Sequence, residues 1–136
     1  MTGVSPKLVR ALNLRGFKTP TPIQRAAIPT ALSVPPRDVL GMARTGSGKT
    51  LGYLVPLLQR LGGVRKEGSG MRALILCPGR ELALQVLKVG KDLARSLATG
   101  AQALRWSLVM GGESLEAQFE AMSSNPDMYV SAPQSC

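Results

Sequence analysis

A glycine-rich run that follows an apolar stretch constrains this chain more than any other feature. Residues 43–50 read Ala-Arg-Thr-Gly-Ser-Gly-Lys-Thr, after the apolar residues 39–42 and before a leucine-rich helical pattern. The order predicts a strand, a phosphate-binding loop and a helix. Glycines let backbone N–H groups turn toward an anion, and a helix that begins near Gly48 adds the positive end of its dipole.

Within this loop, two side chains are suited to a nucleotide. Lys49 is placed to reach the outer phosphates, and the Thr50 hydroxyl is placed to hold Mg²⁺. The general pattern has Gly at its first position, where this chain has Ala43. The alternative is a glycine-rich turn that opens an ordinary helix. The strand and helix context favours the phosphate loop.

Composition indicates a globular chain long enough for one domain with a core. Apolar residues make up 44% and charged residues 18% of the 136 residues. Seventeen Lys and Arg against eight Asp and Glu give a net charge of +9, which suits a polyanion such as nucleic acid. A small basic chain that is merely soluble would show the same excess, so charge alone does not decide.

Cysteine and histidine usage argues against a disulfide framework or a metal site. The chain has two cysteines, Cys77 and Cys136, and no histidine. Cys77 ends an apolar run, which predicts a buried thiol. No signal peptide is evident, and the apolar runs are shorter than the ~20 residues of a membrane helix. We therefore expect a reducing, intracellular compartment and no membrane partner.

Hydrophobic spacing predicts five helices. The first begins at Ser5-Pro6 and closes at Gly16, and a short one covers 23–28 before Pro29 interrupts it. The helix after the phosphate loop contains Pro56. The two remaining helices have predicted inward faces. That of the fourth helix is Leu82, Val86, Val89, Leu93 and Leu97. That of the fifth helix, which Ser114 caps, is Leu115, Phe119 and Met122.

Four apolar runs, at 39–42, 73–77, 106–110 and 128–131, predict buried strands. Strands that alternate with amphipathic helices imply an α/β fold, a parallel sheet with helices on both faces. Ligands then bind beyond the carboxyl ends of the strands. The phosphate loop, residues 78–81 and residues 111–112 all lie at such ends.

A second segment, residues 16–24, carries groups suited to adenine. The Gln24 carboxamide can bond both N6 and N7 of the base, and the Phe17 ring can stack on it. The alternative is a proline-rich turn with a core Phe and a surface Gln. Without the phosphate loop, that alternative would be favoured.

Together these motifs resemble those of the DEAD-box RNA helicases. The segment ending at Gln24 is similar to the Q motif of that family, and 43–50 to its motif I, where Ala is usual at the first position. Residues 78–83 resemble motif Ia, with Gly79 where the family has Thr, and 111–112 resemble its glycine pair. Residues 130–135 stand where motif Ib is expected, but only Pro133 is clearly kept. Four motifs stand in the family's order between residues 16 and 112.

The resemblance implies a RecA-like P-loop fold, the cofactors ATP and Mg²⁺, and RNA as partner. Gln24 and Phe17 would recognise adenine, assisted by the Thr19 backbone. The rest of the nucleotide site would be the loop residues Ala43, Arg44, Thr45, Gly46, Ser47, Gly48, Lys49 and Thr50.

RNA contacts are implied for Arg80 and for the backbone at Gly111 and Gly112. Such contacts read phosphates and sugars, so weak sequence preference is expected. Without the resemblance, the alternative is favoured for Arg80, which would be a solvated cation at a helix start. The alternative for the glycine pair is a plain turn that ends a strand. Residues 111–120 with 125–127 resemble a nucleolar subgroup that acts in assembly of the large ribosomal subunit, which implies the nucleus or nucleolus.

Hydrolysis in this family also needs an Asp-Glu-Ala-Asp strand end and arginines from a second domain, neither of which this sequence contains. Asp38 and Asp127 precede predicted strands, at the wrong end of the sheet, and Ser135 replaces the Arg expected in motif Ib. We therefore interpret 1–136 as a partial helicase ATP-binding domain, incomplete at the carboxyl end, as in a truncated or spliced product, and expect no ATP turnover.

Three interpretations remain for the chain. It is the amino-terminal part of an ATP-dependent RNA helicase, a module that binds ATP or RNA without turnover, or an inactive fragment. The third would follow from an exposed sheet edge after 128–131.

Overall fold

The computed structural model describes residues 3–66 and 70–133. The chain divides into two compact units, Met1–Gly63 and Val64–Cys136, here called unit 1 and unit 2. In the described residues, no helix is both long and apolar enough to cross a bilayer. Gln134, Ser135 and Cys136, for which we made sequence predictions, lie outside the described residues.

The described part of unit 1 contains three helices, α1 (Pro6–Leu14), α2 (Pro22–Ala31) and α3 (Lys49–Arg60). The Ser5 hydroxyl accepts the Leu8 N–H at 3.3 Å and caps α1, whose Leu8 and Leu12 are buried. Gly16 has a φ of 85°, which confirms the predicted left-handed turn after this helix.

Helix α2 is longer than predicted, because Pro29 does not end it. The prediction of a helix that stops at Ile28 is wrong: Pro29 lies inside α2, which continues to Ala31. Proline removes one backbone N–H of the helix. The next turn is still closed, since Leu32 N–H donates to the Ile28 carbonyl at 3.0 Å.

Helix α3 begins and packs as the sequence predicts. Pro56 lies inside it, and Leu54 and Leu58 are fully buried. Helix α2 packs along it.

The predicted strand at 39–42 is wrong. These residues have no regular structure, and Leu40 and Met42 are 91% and 86% exposed. A strand exists only where a neighbouring backbone satisfies its N–H and C=O groups. The strands formed by the described residues all lie between 73 and 132, so 39–42 has no strand partner within the described part of unit 1.

Between residues 70 and 133, unit 2 contains three parallel strands, with helices in the connections between them. Its elements in order are β1 (Ala73–Leu76), α4 (Arg80–Arg95), a 3₁₀ turn (Gly100–Gln102), β2 (Trp106–Met110), α5 (Leu115–Ser123) and β3 (Met128–Ala132). The sheet order is β1-β3-β2, and Val130 pairs with Ile75 on one side and Leu108 on the other. The parallel α/β architecture is therefore confirmed.

Strand β3 is the centre of this sheet, so the predicted exposed edge at 128–131 is wrong. Met128 and Val130 are fully buried. Helical crossovers free parallel strands from pairing in chain order, and the last strand inserts between the first two. The edges among the described strands are β1 and β2.

Strand β1 is buried on one face only, although every residue in it is apolar. Ala73 and Ile75 are buried, whereas Leu74 and Leu76 are 49% and 66% exposed. Cys77, just after the strand, is buried as predicted, and this burial raises the pKa of its thiol.

Helix α4 buries most of its predicted face. Val86, Leu93 and Leu97 are buried and Val89 is half-buried, but the prediction is wrong for Leu82, which is exposed. Ala83 and Gly90, which were not predicted, are also buried. Gly90 lies so close to Trp106 that a Cβ at this position would collide with the ring.

Helix α5 has the predicted cap but not the predicted inward face. The Ser114 hydroxyl accepts the Ala117 N–H at 3.2 Å. Leu115 and Phe119 are nevertheless 80% and 73% exposed, and Met122 is 50% exposed. The apolar spacing was read correctly as a helix, but within the described residues no element covers that side of it.

Asp127 joins the amino ends of all three strands. One carboxylate oxygen lies 3.4 Å from the Arg72 guanidinium, and the other accepts the Arg105 N–H at 3.0 Å. Its carbonyl accepts the N–H groups of Arg72 and Ala73. This places Asp127 at the amino edge of the sheet, as predicted, where it serves as a structural group.

Candidate nucleotide site and RNA-contacting edge

The phosphate loop of unit 1 is built on two glycines in the left-handed region. Gly46 and Gly48 have φ values of 82° and 90°. The Ser47 N–H closes the turn onto the Arg44 carbonyl at 3.1 Å, and Gly52 N–H bonds to Gly48 as α3 begins. Gly48 also has no room for a side chain, since a Cβ there would collide with the Gln24 amide. The loop therefore has the backbone form that a phosphate cradle requires.

Gln24 brings the two predicted nucleotide segments together. It is 6% exposed, its carbonyl oxygen accepts the Thr21 N–H at 3.0 Å, and its amide donates to the Gly48 carbonyl at 3.0 Å. Gln24, which the sequence predicts to bind adenine, thus also has a structural role that was not predicted. Its two hydrogen bonds link the start of α2 to the phosphate loop.

A cavity of about 430 Å³ lies where these segments meet. It is lined by Thr21, Pro22, Ile23, Ala26, Met42, Ala43 and Ser47. The Thr21 side chain forms a capping box with Gln24 at the start of α2. The Ser47 hydroxyl oxygen is buried and has no hydrogen-bond partner within the described part of the chain. Buried hydroxyls are normally satisfied, so Ser47 beside this cavity fits a polar ligand. Thr21 was missed from the sequence; its position immediately before Pro22, at a helix start, was the available signal.

The other predicted nucleotide residues are exposed or half-buried and, apart from Ala43, do not line this cavity. Lys49 is exposed as the first residue of α3 and lines a second cavity of about 620 Å³, and Thr50 is half-buried. Phe17 follows α1, with its N–H bonded to the Leu12 carbonyl and its side chain 45% exposed. Thr19, Arg44 and Thr45 are exposed, and Ala43 is half-buried.

In unit 2, the predicted RNA-contacting residues share the carboxyl edge of the sheet. Arg80 is exposed at the first turn of α4, after β1, and Gly112 is exposed with a φ of 84°, after β2. Strand β3 lies between β1 and β2, which separates the two positions by about 10 Å. The Gly111 N–H is already bonded to the Ala132 carbonyl at 3.0 Å. Gly79 precedes α4 as its N-cap, without a side-chain bond.

Acidic groups do not cluster in the described residues. No set of three or more His, Cys, Asp or Glu side chains there is arranged to hold a metal ion.

A comparison with protein families decides between the interpretations of these motifs. The model for DEAD/DEAH box helicases matches residues 21–136. The chain belongs to this helicase family. Gln24, the phosphate loop, Arg80 and the glycine pair lie inside the matched region, and Phe17 and Thr19 lie before it.

Among curated helicases, the chain is similar to proteins named ATP-dependent RNA helicase DBP10. It is 58% identical to that of Cryptococcus neoformans, covering 96% of this chain and 18% of the relative. It is 55% identical to that of Mycosarcoma maydis, covering 96% of this chain and 12% of the relative. The chain thus spans less than a fifth of the length of these relatives.

Solved helicase structures have the same fold. The yeast DEAD-box splicing factor Prp28 superposes with a TM-score of 0.81 at 31% identity, covering 96% of this chain and 31% of that one. Prp28 from Chaetomium thermophilum, solved bound to ADP, gives a TM-score of 0.77 at 38% identity, covering 96% and 30%. The RecA-like fold expected from the motifs is confirmed.

Proposed function

We propose that this chain is the ATP- and RNA-binding part of a DEAD-box ATP-dependent RNA helicase, with 1–136 forming part of its helicase ATP-binding domain. The observation that carries the proposal is the Gln24 bridge from the start of α2 to Gly48. It joins two segments that are separate in the sequence, one suited to adenine and the other to phosphates.

The phosphate loop supplies the anion-binding part of the proposed site. Gly46 and Gly48 adopt the left-handed conformations that can turn backbone N–H groups toward an anion, while the Ser47 N–H between them is bonded to the Arg44 carbonyl. The loop opens directly into α3, whose N-terminus favours negative charge. Lys49 would contact the outer phosphates. Mg²⁺ would be held by Thr50 together with phosphate oxygens, where it neutralises charge.

Gln24 retains the capacity to recognise adenine after its contacts within the chain are made. A carboxamide has two N–H donors and an oxygen with two lone pairs. Thr21 uses one lone pair and Gly48 one N–H, so one of each remains. That pair matches the N7 acceptor and N6 donor of adenine. Phe17 and the Thr19 backbone are proposed to complete the base site.

RNA is proposed to lie along the carboxyl edge of unit 2. Arg80 would contact a phosphate there, and Gly112 would contribute backbone groups, since the Gly111 N–H is engaged in the sheet. Backbone contacts of this kind carry no base specificity. The net charge of +9 supports a polyanionic partner.

The relatives support this proposal and its subgroup. The similar proteins are named ATP-dependent RNA helicases, and one similar structure was solved with ADP. Action in assembly of the large ribosomal subunit, in the nucleolus, remains part of the proposal. We propose that this chain alone binds ATP without hydrolysing it, because it contains no Asp-Glu-Ala-Asp segment.

Titration calorimetry with ATP and Mg²⁺ tests the nucleotide site. Lys49→Ala removes a charge-assisted contact worth about 1.5–3 kcal/mol, so we expect roughly 10- to 100-fold weaker binding. Lys7→Ala, at an exposed lysine of α1, is the matched control and should bind as the parent chain does. Unchanged affinity in Lys49→Ala would count against the site. RNA-stimulated phosphate release that disappears in Lys49→Ala would refute binding without hydrolysis.

The RNA edge is tested by the salt dependence of binding to a single-stranded oligonucleotide. Arg80→Ala should weaken binding uniformly across sequences and reduce the salt slope by about one. Arg10→Ala, at an exposed position of α1, should leave the slope unchanged. A slope that is the same in the parent chain and in Arg80→Ala would contradict the assignment.

A further inference from the structure

A second basic site lies at the opposite, amino edge of unit 2. A cavity of about 380 Å³ between the end of α4, the start of β2 and Ser124 is lined by Lys91, Arg95, Arg105 and Trp106. We propose that this amino-edge pocket binds a backbone phosphate of RNA, as a contact separate from the one at Arg80. The choice of RNA rests on the proposed function.

The charge balance of the pocket favours an anion. Three cationic side chains line it, and its lining includes no carboxylate. Asp92 partly offsets Arg95, at 3.4 Å, and Asp127 is turned to Arg72 and the Arg105 N–H. One carboxylate against three cations leaves an excess of positive charge at a concave surface, where such charge attracts anions strongly.

The donors in the pocket suit a phosphate. The Arg105 guanidinium uses one nitrogen on the Ser124 carbonyl at 3.0 Å, which leaves other N–H groups available. Lys91 is half-buried in the same wall. Planar arginine and point-charge lysine are the two side chains most used for phosphate oxygens.

Trp106 places an aromatic side chain in the wall of the pocket. Its ring packs against Gly90 of α4, and its indole N–H is buried without a hydrogen-bond partner in the described residues. The side chain as a whole is half-buried, so a nucleotide held by the cations would lie beside it and change its fluorescence.

The pocket is well separated from the proposed RNA edge. Arg105 precedes β2 and Gly112 follows it, so the five residues of the strand lie between them, about 17 Å in length. RNA that reaches both positions would cross unit 2 rather than follow one edge of its sheet.

The test uses Trp106, the single tryptophan of the chain, as its probe. Single-stranded RNA is titrated into the full chain, and both tryptophan fluorescence and affinity are followed. Lys91→Glu should weaken binding by on the order of tenfold, lower the salt slope by about one and reduce the fluorescence change. Lys88→Glu makes the same charge change one turn away, at an exposed position outside the pocket, and should alter both measurements less.

Folding is checked by circular dichroism, and Lys91→Gln repeats the test with a smaller perturbation. Equal effects of Lys88→Glu and Lys91→Glu would overturn the proposal. So would an equal fluorescence change with inorganic phosphate alone, which indicates a free-phosphate site, or equal competition by an acidic peptide. If Arg80→Ala loses RNA binding and neither Lys91 variant does, the proposed pocket is refuted and the proposed function stands. If the parent chain does not bind ATP, the proposed function is refuted instead.

Discussion

Residues 39–42 of unit 1 and strand β1 of unit 2 are apolar runs of equal length, each followed by a loop that carries a helicase motif. Only Ala73–Leu76 is a strand, because it pairs with Met128–Ser131 of β3. The phosphate loop nevertheless has its glycine conformations and its helix start without a strand before it. Loop and helix geometry are therefore local properties of this chain, whereas strand formation depends on a distant partner.

The largest effect on stability is expected at Asp127, which links the amino ends of the paired strands of unit 2. Two Asp–Arg pairs have the same 3.4 Å separation, but Asp127 is 2% exposed and Asp92 is 39% exposed. Asp127→Ala removes the carboxylate that Arg72 and the Arg105 N–H share, and the loss of this buried group should cost about 3–5 kcal/mol of the free energy of unfolding. Asp92→Ala should cost less than about 0.5 kcal/mol. Urea denaturation measures the free energy of unfolding of both variants. Similar losses would show that burial does not determine how much each Asp–Arg pair contributes to stability.

One glycine in each unit gives a pair of substitutions with opposite expected signs. A Cβ at Gly90 of α4 collides with Trp106, whereas a Cβ at Gly52 of α3 meets no atom within 4 Å. Gly90→Ala should destabilise the chain by about 1–3 kcal/mol and shift the tryptophan emission. Gly52→Ala should stabilise it by about 0.5–1 kcal/mol through helix propensity. Stabilisation by both substitutions would show that α4 does not approach the sheet as closely as described.

Helix caps give a smaller contrast between the units. Ser5 caps α1 with its hydroxyl, and Gly79 stands at the same position of α4 without a side chain to do so. Ser5→Ala should cost about 1 kcal/mol, and Gly79→Ser should add a few tenths of a kcal/mol. Thermal melts of the two variants measure the difference. A loss of stability in Gly79→Ser would mean that a hydroxyl at this position does not accept a backbone N–H of α4.

Features set by neighbours in sequence could be predicted from the sequence. The Ser5 and Ser114 caps, the turn at Gly16 and the start of α3 after Gly48 all depend on a few adjacent residues. The phosphate loop belongs to this class, since its glycines and lysine are contiguous. Its recognition, together with the adenine segment, led to the correct family and fold.

Features set by distant residues could not be predicted in the same way. The insertion of β3 between β1 and β2 depends on chain crossovers, and the burial of Gly90 depends on its close approach to Trp106, 16 positions along the chain. Periodicity located helix α5, but it did not show that Phe119 remains exposed. The contact of Gln24 with Gly48 spans 24 positions, so only the motif, and not its geometry, could be read from the sequence.

Unit 1 is proposed to hold an adenine nucleotide, and the affinity ratio of the unaltered chain for ATP and GTP tests this most directly. Gln24 offers guanine the wrong pattern of donor and acceptor, and one such amide–base pair discriminates by about 1–3 kcal/mol. Calorimetry at fixed Mg²⁺ and salt should therefore find ATP bound roughly 5- to 100-fold more tightly than GTP. Equal affinities would contradict the assignment of Gln24 and of the site built around it.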